Sequence, residues 1–187
     1  MAQVAFLDAC VLYPSNLRDV ILSIAEVGLC QIRWSPDVLD EMERNLIKAG
    51  KATPRLRGAM EAAFPDAMVS RDDYSKLIGD MPNDEKDRHV LAAAIATRAN
   101  VLVTANLKDF KPLPDHCEVE IQHPDDLLCA VLENSPIETF DTLKDLASRR
   151  HEPMNSISAI LNALHKTAPN FVMQAFDILP LYDKSGL

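Results

Sequence analysis

Acidic side chains occur at three places where a predicted buried strand ends or where the helix leading into a strand begins. Asp8 interrupts the apolar run "VAFL", Asp87 lies in "NDEKDRHVLAAAI", and Asp109 lies in the loop after "VLVT". A carboxylate at a buried position costs several kcal/mol unless it is paired or solvated. Carboxylate oxygens are also the ligands that Mg²⁺ and Mn²⁺ prefer, so these residue types offer cation binding.

Each of these acids, taken alone, also has an ordinary structural explanation. Acids are common in turns at strand ends, so Asp8 fits either role. The segment "DEKD" resembles a capping box, and for Asp84 and Asp87 helix capping is the favoured interpretation, each contact being worth roughly 0.3–1 kcal/mol. Asp109 is explained as an ordinary loop acid.

A fourth acid comes from the predicted helix "SPDVLDEMERNLIKAG", which has Ser35 as its cap and Gly50 after its last turn. At about 100° per residue, Glu41 and Glu43 flank the apolar side of this helix on opposite sides. Either flank reaches the edge of a neighbouring sheet, so spacing alone does not choose between them. The apolar side itself is formed by Val38, Leu39, Met42 and Leu46.

The acids are more informative together than singly. The carboxyl ends of parallel strands meet at one sheet edge, where ligand sites of open α/β sheets lie. Several carboxylates at one edge repel each other unless they protonate or a cation lies among them. A divalent ion held there can activate a water and stabilise the leaving oxygen of a phosphodiester.

The elements that must position these acids alternate between strand and helix up to about residue 134. The predicted strands are "VAFL", "CQIRW", "VLVT" and "CEVEI". This alternation predicts an α/β fold with a parallel sheet and helices on both faces. From Ser135 onward the sequence predicts only helices, in "SPIETFDTLKDLASRR", "NSISAILNALHK" and "NFVMQAFDIL". We therefore expect a domain at 1–134 and a helical extension at 135–187.

Composition limits the partners. The net charge is −9, with 28 acidic and 19 basic side chains, which opposes general attraction to a polyanion. A nucleic-acid enzyme remains compatible, because a bound metal reverses the local field. The four cysteines lack zinc or redox spacing, and no apolar run approaches the ~20 residues that span a bilayer. We expect a cytoplasmic protein with no membrane contact.

Four segments, in this order, resemble the signature segments of PIN-domain nucleases, in particular the VapC toxins of toxin–antitoxin pairs. They are "FLDACVLYPS", "SPDVLDEMERNL", "MPNDEKDRHVLAAAI" and "VLVTANLKDF". The resemblance covers roughly residues 3 to 125, and the rest is similar only to the C-terminal extensions of some members. It implies a PIN-like fold and a metal-dependent endoribonuclease, the toxin of a pair with a VapB-like antitoxin. A homodimer is one option for its assembly.

Carried over by position, the resemblance implies four catalytic and metal-binding acids, with Mg²⁺ or Mn²⁺ as cofactor and RNA as substrate. These acids are Asp8, Glu41, Asp87 and Asp109. Thr104 matches the polar residue that ends the third strand. The loop departs from the family pattern at Asn106, which stands where an acid is usual, so a second metal ion has weaker support. Asp84 is interpreted as a cap.

The densest basic run follows the Glu41 helix and has two interpretations. It comprises Arg44, Lys48, Lys51, Arg55 and Arg57. A solvated surface is the ordinary one, and a rim that positions RNA phosphates is the functional one. His89 is interpreted as a packed or surface histidine. The few aromatic residues, Trp34 among them, predict no stacking platform for bases.

Three rival functions have specific objections or tests. A haloacid-dehalogenase-like phosphatase needs a second acid two residues after the first, where this chain has Cys10. A dinucleotide-binding fold needs a Gly-rich turn, and the whole chain has five glycines. A non-catalytic PIN-like RNA-binding or scaffold module stays open, and metal titration separates it from a nuclease.

Overall fold

The structure is a computed structural model that describes residues 3–51 and 54–185, with side chains to residue 182. The chain forms two compact units. The first comprises the chain up to Tyr13 together with Gln31–His123, and the second comprises Pro14–Cys30 and the chain from Pro124 onward. The predicted domain boundary after residue 134 stays a prediction.

The first unit is built on a four-stranded parallel sheet with the strand order β2-β1-β3-β4. The strands are β1 Val4–Leu7, β2 Gln31–Arg33, β3 Val101–Val103 and β4 Glu120–Gln122. Ala5 is paired with Ile32 on one side and Val101 on the other. The two central strands are almost fully buried, which explains their uninterrupted apolar sequences. The predicted α/β fold with a parallel sheet is confirmed.

Ten α-helices occur within the described residues. They are α1 Ala9–Leu12, α2 Ser15–Glu26, α3 Pro36–Lys48, α4 Leu56–Ala63, α5 Arg71–Tyr74, α6 Arg88–Ala96, α7 Pro124–Asn134, α8 Pro136–Ser148, α9 Ile157–Leu164 and α10 Pro169–Ser185. The second unit contains α2 and α7 to α10, and the first unit contains the others. Among the residues that the structure describes, no helix is long and apolar enough to cross a membrane.

The ends of α3 follow the predicted chemistry. The Ser35 hydroxyl accepts a hydrogen bond from the Val38 N–H at 3.3 Å, and Pro36 is the first helical residue. Gly50 has a φ of +67°, the left-handed conformation that a glycine adopts at little cost. The helix that carries Glu41 therefore begins and ends as its sequence predicts.

The sequence around "NDEKDRHVLAAAI" predicts a helix from about Asp84 to Ala99, and this prediction is wrong at both ends. A 3₁₀ turn, Glu85–Asp87, precedes α6, and the helix ends at Ala96. The Asp84 carboxylate accepts a hydrogen bond from the Lys86 N–H at 3.1 Å, so its predicted capping role is confirmed, for the 3₁₀ turn. Arg98, shortly after the end of α6, has a φ of +52°. A residue in this left-handed conformation cannot continue a right-handed helix.

Two further elements differ from the sequence prediction. The strand predicted at "CEVEI" is shorter and later, at Glu120–Gln122. The segment "AMVS", whose sequence is also compatible with a short strand, forms only a single bridge between Met68 and Trp34. Both segments are defined by pairing with a strand that is distant in the sequence, and their own sequence does not contain that information.

The second unit consists of helices, and the three helices predicted after Ser135 are confirmed as α8, α9 and α10. Helix α2 contacts α8 and α9, and α7 contacts α10. The buried Asp125 carboxylate accepts hydrogen bonds from the backbone N–H groups of Asn170 and Phe171 at 3.0 and 2.8 Å. It thereby satisfies the first turn of α10.

Candidate active site

Asp8 lies at the carboxyl end of β1, at the N-cap of α1, and only 4% of its surface is exposed. One carboxylate oxygen, Oδ1, accepts a hydrogen bond from the Ala9 N–H at 2.6 Å. The other, Oδ2, accepts from the Thr104 hydroxyl at 2.7 Å and the Cys10 thiol at 3.1 Å. These donors offset the desolvation of a buried charge. Asp8 is therefore both the acid at the strand end and the cap of the short helix.

Thr104 and Cys10 form a supporting layer around Asp8. Thr104 is fully buried, and its hydroxyl also accepts a hydrogen bond from the Asn106 N–H at 3.0 Å. Burial, with the neighbouring Asp8 charge, raises the pKa of the Cys10 thiol to about 12. The thiol is therefore protonated and donates to Asp8. Sequence reasoning proposed Thr104 and missed Cys10, whose position two residues after Asp8 was the available signal.

Asp87 ends the 3₁₀ turn that leads into α6, and its side chain makes no capping hydrogen bond to that helix. Its pKa is raised to about 6, first by burial and then by the charges of Asp8, Asp109 and Glu41, while Lys86 opposes the shift. Mutual repulsion of this kind requires the carboxylates to be near one another. The four predicted acids therefore share one electrostatic environment.

The Asp109 loop is fastened to the segment that precedes Asp87. The Asp109 carbonyl accepts hydrogen bonds from the Asp84 N–H at 3.1 Å and the Asn83 side-chain amide at 3.4 Å. A 3₁₀ turn, Leu107–Phe110, carries the residue, and Asn106 precedes that turn. These backbone contacts hold the Asp109 and Asp87 side chains on the same cleft.

The structure distinguishes the two glutamates of α3. Glu41 lines the cleft, and its Oε2 lies 4.0 Å from the His89 Nε2. Glu43 instead forms an ion pair with Arg57 at 3.2 Å. His89 also lines the cleft, and its Nδ1 is buried without a hydrogen-bond partner among the described residues. Sequence reasoning did not anticipate the contact of His89 with Glu41.

The cleft has a volume of about 510 Å³, and Glu41, Asp87 and Asp109 face it with Asn106. The basic run, for which the sequence allowed a solvated surface or a phosphate-positioning rim, lies only partly on this cleft. Arg44 and Lys48 line the cleft, whereas Lys51 and Arg55 are not part of its wall. Arg57 is paired with Asp40, Glu43 and Glu61, and these contacts raise its pKa.

The donor chemistry of the cleft fits a hard divalent cation. Carboxylates are the principal donors. Burial and repulsion by neighbouring acids raise the Asp87 pKa, and a bound cation would relieve the repulsion. The distances between the side chains fit less well. Among the described residues, no three His, Cys, Asp or Glu side chains are grouped closely enough to hold an ion as they stand. The roles of Asp8, Glu41, Asp87 and Asp109 as metal ligands stay predictions.

Comparison with known proteins gives two family matches. A model of the PIN domain matches residues 4–108, and a model of the VapC50 C-terminal domain matches residues 124–175. The chain is 36% identical over 118 residues to the protein named "Putative ribonuclease VapC50" of Mycobacterium tuberculosis (strain ATCC 25618 / H37Rv). That alignment covers 61% of this chain and 68% of the relative. No solved structure matches the chain.

Proposed function

This chain belongs to the PIN-domain family as a VapC-like member, and from that premise we propose that it is a metal-dependent endoribonuclease that hydrolyses RNA phosphodiester bonds. The observation that carries the proposal is the cleft that Glu41, Asp87 and Asp109 line together. Burial, with the charges of Asp8, Asp109 and Glu41, also raises the pKa of Asp87. Functional sites concentrate such perturbed groups. Structural ion pairs explain the shift less well, because three of the neighbouring charges are of like sign.

The proposed cofactor is Mg²⁺ or Mn²⁺, held by Asp8, Glu41, Asp87 and Asp109. When bound, the ion would supply Lewis acidity at the phosphodiester and at the attacking water. Thr104 and Cys10 would keep the Asp8 carboxylate oriented through their hydrogen bonds to Oδ2. Asn106 supplies a neutral amide where an acid is usual, which favours one ion over two.

Arg44 and Lys48 are proposed to position the RNA backbone. Both line the acid cleft, and neither forms a salt bridge within the part of the chain that the structure describes. Contacts from such side chains to phosphates add affinity without base recognition. This role completes the proposed chemistry, because it places a phosphodiester beside the carboxylates.

The proposed biological role is the toxin of a toxin–antitoxin pair in the cytoplasm, with a VapB-like antitoxin as partner. This role rests on the VapC-like family membership. A cationic segment of the antitoxin would complement the carboxylates of the cleft. Blocking the cleft would then inhibit the nuclease without a conformational change.

A non-catalytic PIN-like module that binds RNA is the second candidate function. The spacing of the carboxylates favours it, because no three of them are grouped closely enough to share one ion among the described residues. Such a module would bind RNA without cutting it. The two candidates therefore predict different results in one assay.

The test is RNA cleavage by the purified full chain, freed of any antitoxin, with Mg²⁺, Mn²⁺ or EDTA. We expect cleavage with either ion and none in EDTA. Asp87→Asn should lower the cleavage rate at least about 100-fold, since it removes a proposed ligand. Asp84→Asn is the matched control, because it neutralises an acid of the same segment that caps the 3₁₀ turn.

Uncut RNA in both metals would overturn the nuclease proposal, and retained RNA binding would then support the second candidate. Equal activity of Asp87→Asn and the unmodified chain would overturn the site assignment. Sequencing RNA ends after brief induction of the unmodified chain would identify the RNA that is cut. Asp87→Asn expressed at the same level provides the background for that measurement.

A further inference from the structure

A second cleft adjoins the acid cleft in the same unit. It has a volume of about 460 Å³ and is lined by Cys10, Tyr13, Asn45, Lys48 and Ala49. Asn45 and Lys48 also line the acid cleft. The two clefts therefore share a wall, and a ligand extended along that wall could occupy both.

Tyr13 supplies the aromatic surface of this second cleft. It follows α1, its N–H donates to the Ala9 carbonyl at 2.9 Å, and the residue is only partly exposed. It lies about one turn from Cys10, whose thiol contacts Asp8. The amino group of Lys51 lies 5.9 Å from the centre of the Tyr13 ring. The proposed hydrolysis assigns no role to this partly exposed ring.

Helix α3 connects the two clefts. Glu41, Asn45 and Lys48 are four and three residues apart, which places them along one side of the helix. The rise of 1.5 Å per residue puts Lys48 about 10 Å from Glu41 along the axis. One side of this helix therefore runs from the acids, through an amide, to a cation beside the tyrosine.

In contrast to the sequence-based expectation of no stacking platform, we propose that Tyr13 stacks on a nucleobase of single-stranded RNA. Its subsite lies next to the phosphodiester that the acid cleft is proposed to cut. Lys48, at the shared wall, contacts the phosphate between the two positions. This inference rests on the proposed function for the identity of the polymer. Every nucleobase has a face that stacks on an aromatic ring, so the platform adds affinity with little base selectivity.

Charge favours RNA over an apolar peptide at this subsite. Lys48 lines the cleft and Lys51 lies over the ring, so an occupant that carries negative charge beside a flat ring is complementary. A nucleotide has both features. Asn45 adds a side-chain amide that can donate to or accept from the edge of a base.

The test uses short single-stranded RNA carrying the fluorescent base 2-aminopurine at each position in turn. Stacking on an aromatic ring quenches its fluorescence. The protein is the full chain with Asp87→Asn, which binds without cutting. We expect one RNA position to be quenched on binding, and quenching to persist in Tyr13→Phe. Tyr13→Leu should lose it and bind RNA about 10-fold more weakly, because leucine keeps apolar volume without a ring.

Cleavage kinetics in the otherwise unmodified chain supply the second measurement. Tyr13→Leu should raise KM about 10-fold with kcat nearly unchanged, the result of losing binding that is equal in the ground and transition states. Tyr13→Phe should match the unmodified chain. The free energy of unfolding of each variant shows whether the fold is retained.

The two proposals fail in different ways. If the unmodified chain cuts no RNA but 2-aminopurine is quenched in a Tyr13-dependent manner, the nuclease proposal fails and the subsite stands. If the unmodified chain cuts RNA while folded Tyr13→Leu retains its KM and no position is quenched, the subsite is overturned and the nuclease stands. Absence of any RNA binding overturns the subsite as well.

Discussion

Asp87 carries an electrostatic cost as long as no cation is bound. Its pKa of about 6 in the folded protein is above the value of 3.8 for a free side chain. The folded state therefore binds a proton more tightly than the unfolded state between about pH 4 and 6, and the free energy of unfolding falls as the pH rises through that range. Because Asp87 is partly exposed, solvent screening limits the loss to about 1 kcal/mol.

We predict that Asp87→Asn raises the free energy of unfolding by about 1 kcal/mol near pH 7 in EDTA, and changes it little near pH 4, where the carboxylate is protonated. Urea denaturation at both pH values measures this difference. The same variant should lose RNA cleavage, so stability and activity move in opposite directions. A variant destabilised equally at both pH values would show that the Asp87 carboxylate has a structural role instead.

The Asp84→Asn control separates this effect from a change in local charge. Asp84 caps the 3₁₀ turn through the Lys86 N–H, and asparagine accepts the same hydrogen bond. We therefore expect its pH dependence to follow the unmodified chain. Only Asp87→Asn should raise the free energy of unfolding near pH 7, because Asp87 is the acid repelled by its acidic neighbours.

At the scale of the element, α3 determines which glutamate reaches the cleft. Glu41 and Glu43 lie on opposite flanks, and the structure pairs Glu43 with Arg57 at 3.2 Å. Glu41→Gln should weaken Mn²⁺ binding and RNA cleavage at least about 10-fold, the effect that loss of even an outer-shell partner has at metal sites. Isothermal titration calorimetry measures the Mn²⁺ affinity, and a cleavage assay measures the rate of RNA cleavage.

Glu43→Gln is the matched control on the same helix. It leaves the cleft intact, so Mn²⁺ affinity and cleavage should stay within about 2-fold of the unmodified chain. Its ion pair with Arg57 is partly exposed, so its loss should lower the free energy of unfolding by less than about 1 kcal/mol. Equal effects of the two substitutions on cleavage would contradict the assignment of Glu41.

The elements also show what sequence alone can predict. The ends of α3 are set by Ser35, Pro36 and Gly50, which are local signals, and these were predicted correctly. The start of α6 was not, because the preceding turn is held by hydrogen bonds to the Asp109 carbonyl, up to 26 residues away in the chain. The sequence therefore identified the candidate acids. That the Asp87 side chain does not cap α6 could not be predicted, because it depends on this distant contact.

At the scale of the whole molecule, the alternation of strands and helices gave no sign that α2 belongs to the unit of the C-terminal helices. That grouping depends on contacts between residues far apart in sequence. Arg149 contacts Glu26 at 3.4 Å, and Arg150 pairs with Asp19 across 131 residues. Periodicity describes which face of a helix is apolar, but it does not identify the partner of that face.

Asp125 is the buried group that ties α7 to α10 within the second unit. It accepts hydrogen bonds from the Asn170 and Phe171 N–H groups and from the Asn170 amide at 2.9 Å. We predict that Asp125→Ala lowers the free energy of unfolding by about 2–3 kcal/mol, because it removes a charged cap and leaves buried donors unpaired. Denaturant unfolding followed by circular dichroism measures the loss.

Glu133→Ala is the control for Asp125. Glu133 is an exposed acid in the last turns of the same helix, where a negative charge is unfavourable to the helix dipole. Its removal should change the free energy of unfolding by less than about 0.5 kcal/mol. A similar small loss for both variants would mean that solvent replaces the Asp125 hydrogen bonds.

The protein has a net charge of −9, so the salt dependence of its RNA binding should come from the few cations that contact phosphates. Three cations are available to phosphates here: Arg44 and Lys48 line the clefts, and Lys51 lies over the Tyr13 ring. Lys86 also lines the acid cleft but lies 3.8 Å from the Asp84 carboxylate. For single strands, each neutralised phosphate contributes about −0.7 to the slope of log K against log salt, so three contacts predict a slope of about −2.

This slope is measured by fluorescence anisotropy of labelled RNA over a range of KCl concentrations. The protein is the Asp87→Asn variant, which is expected to bind RNA without cleaving it. Lys48→Met should reduce its magnitude by about 0.7, while Lys76→Met, which removes an exposed cation outside both clefts, should leave it unchanged. A slope much steeper than −2 would require basic contacts beyond these clefts. A shallow slope of log K against log salt is expected if only these few cations contact phosphates and place the RNA beside the carboxylates.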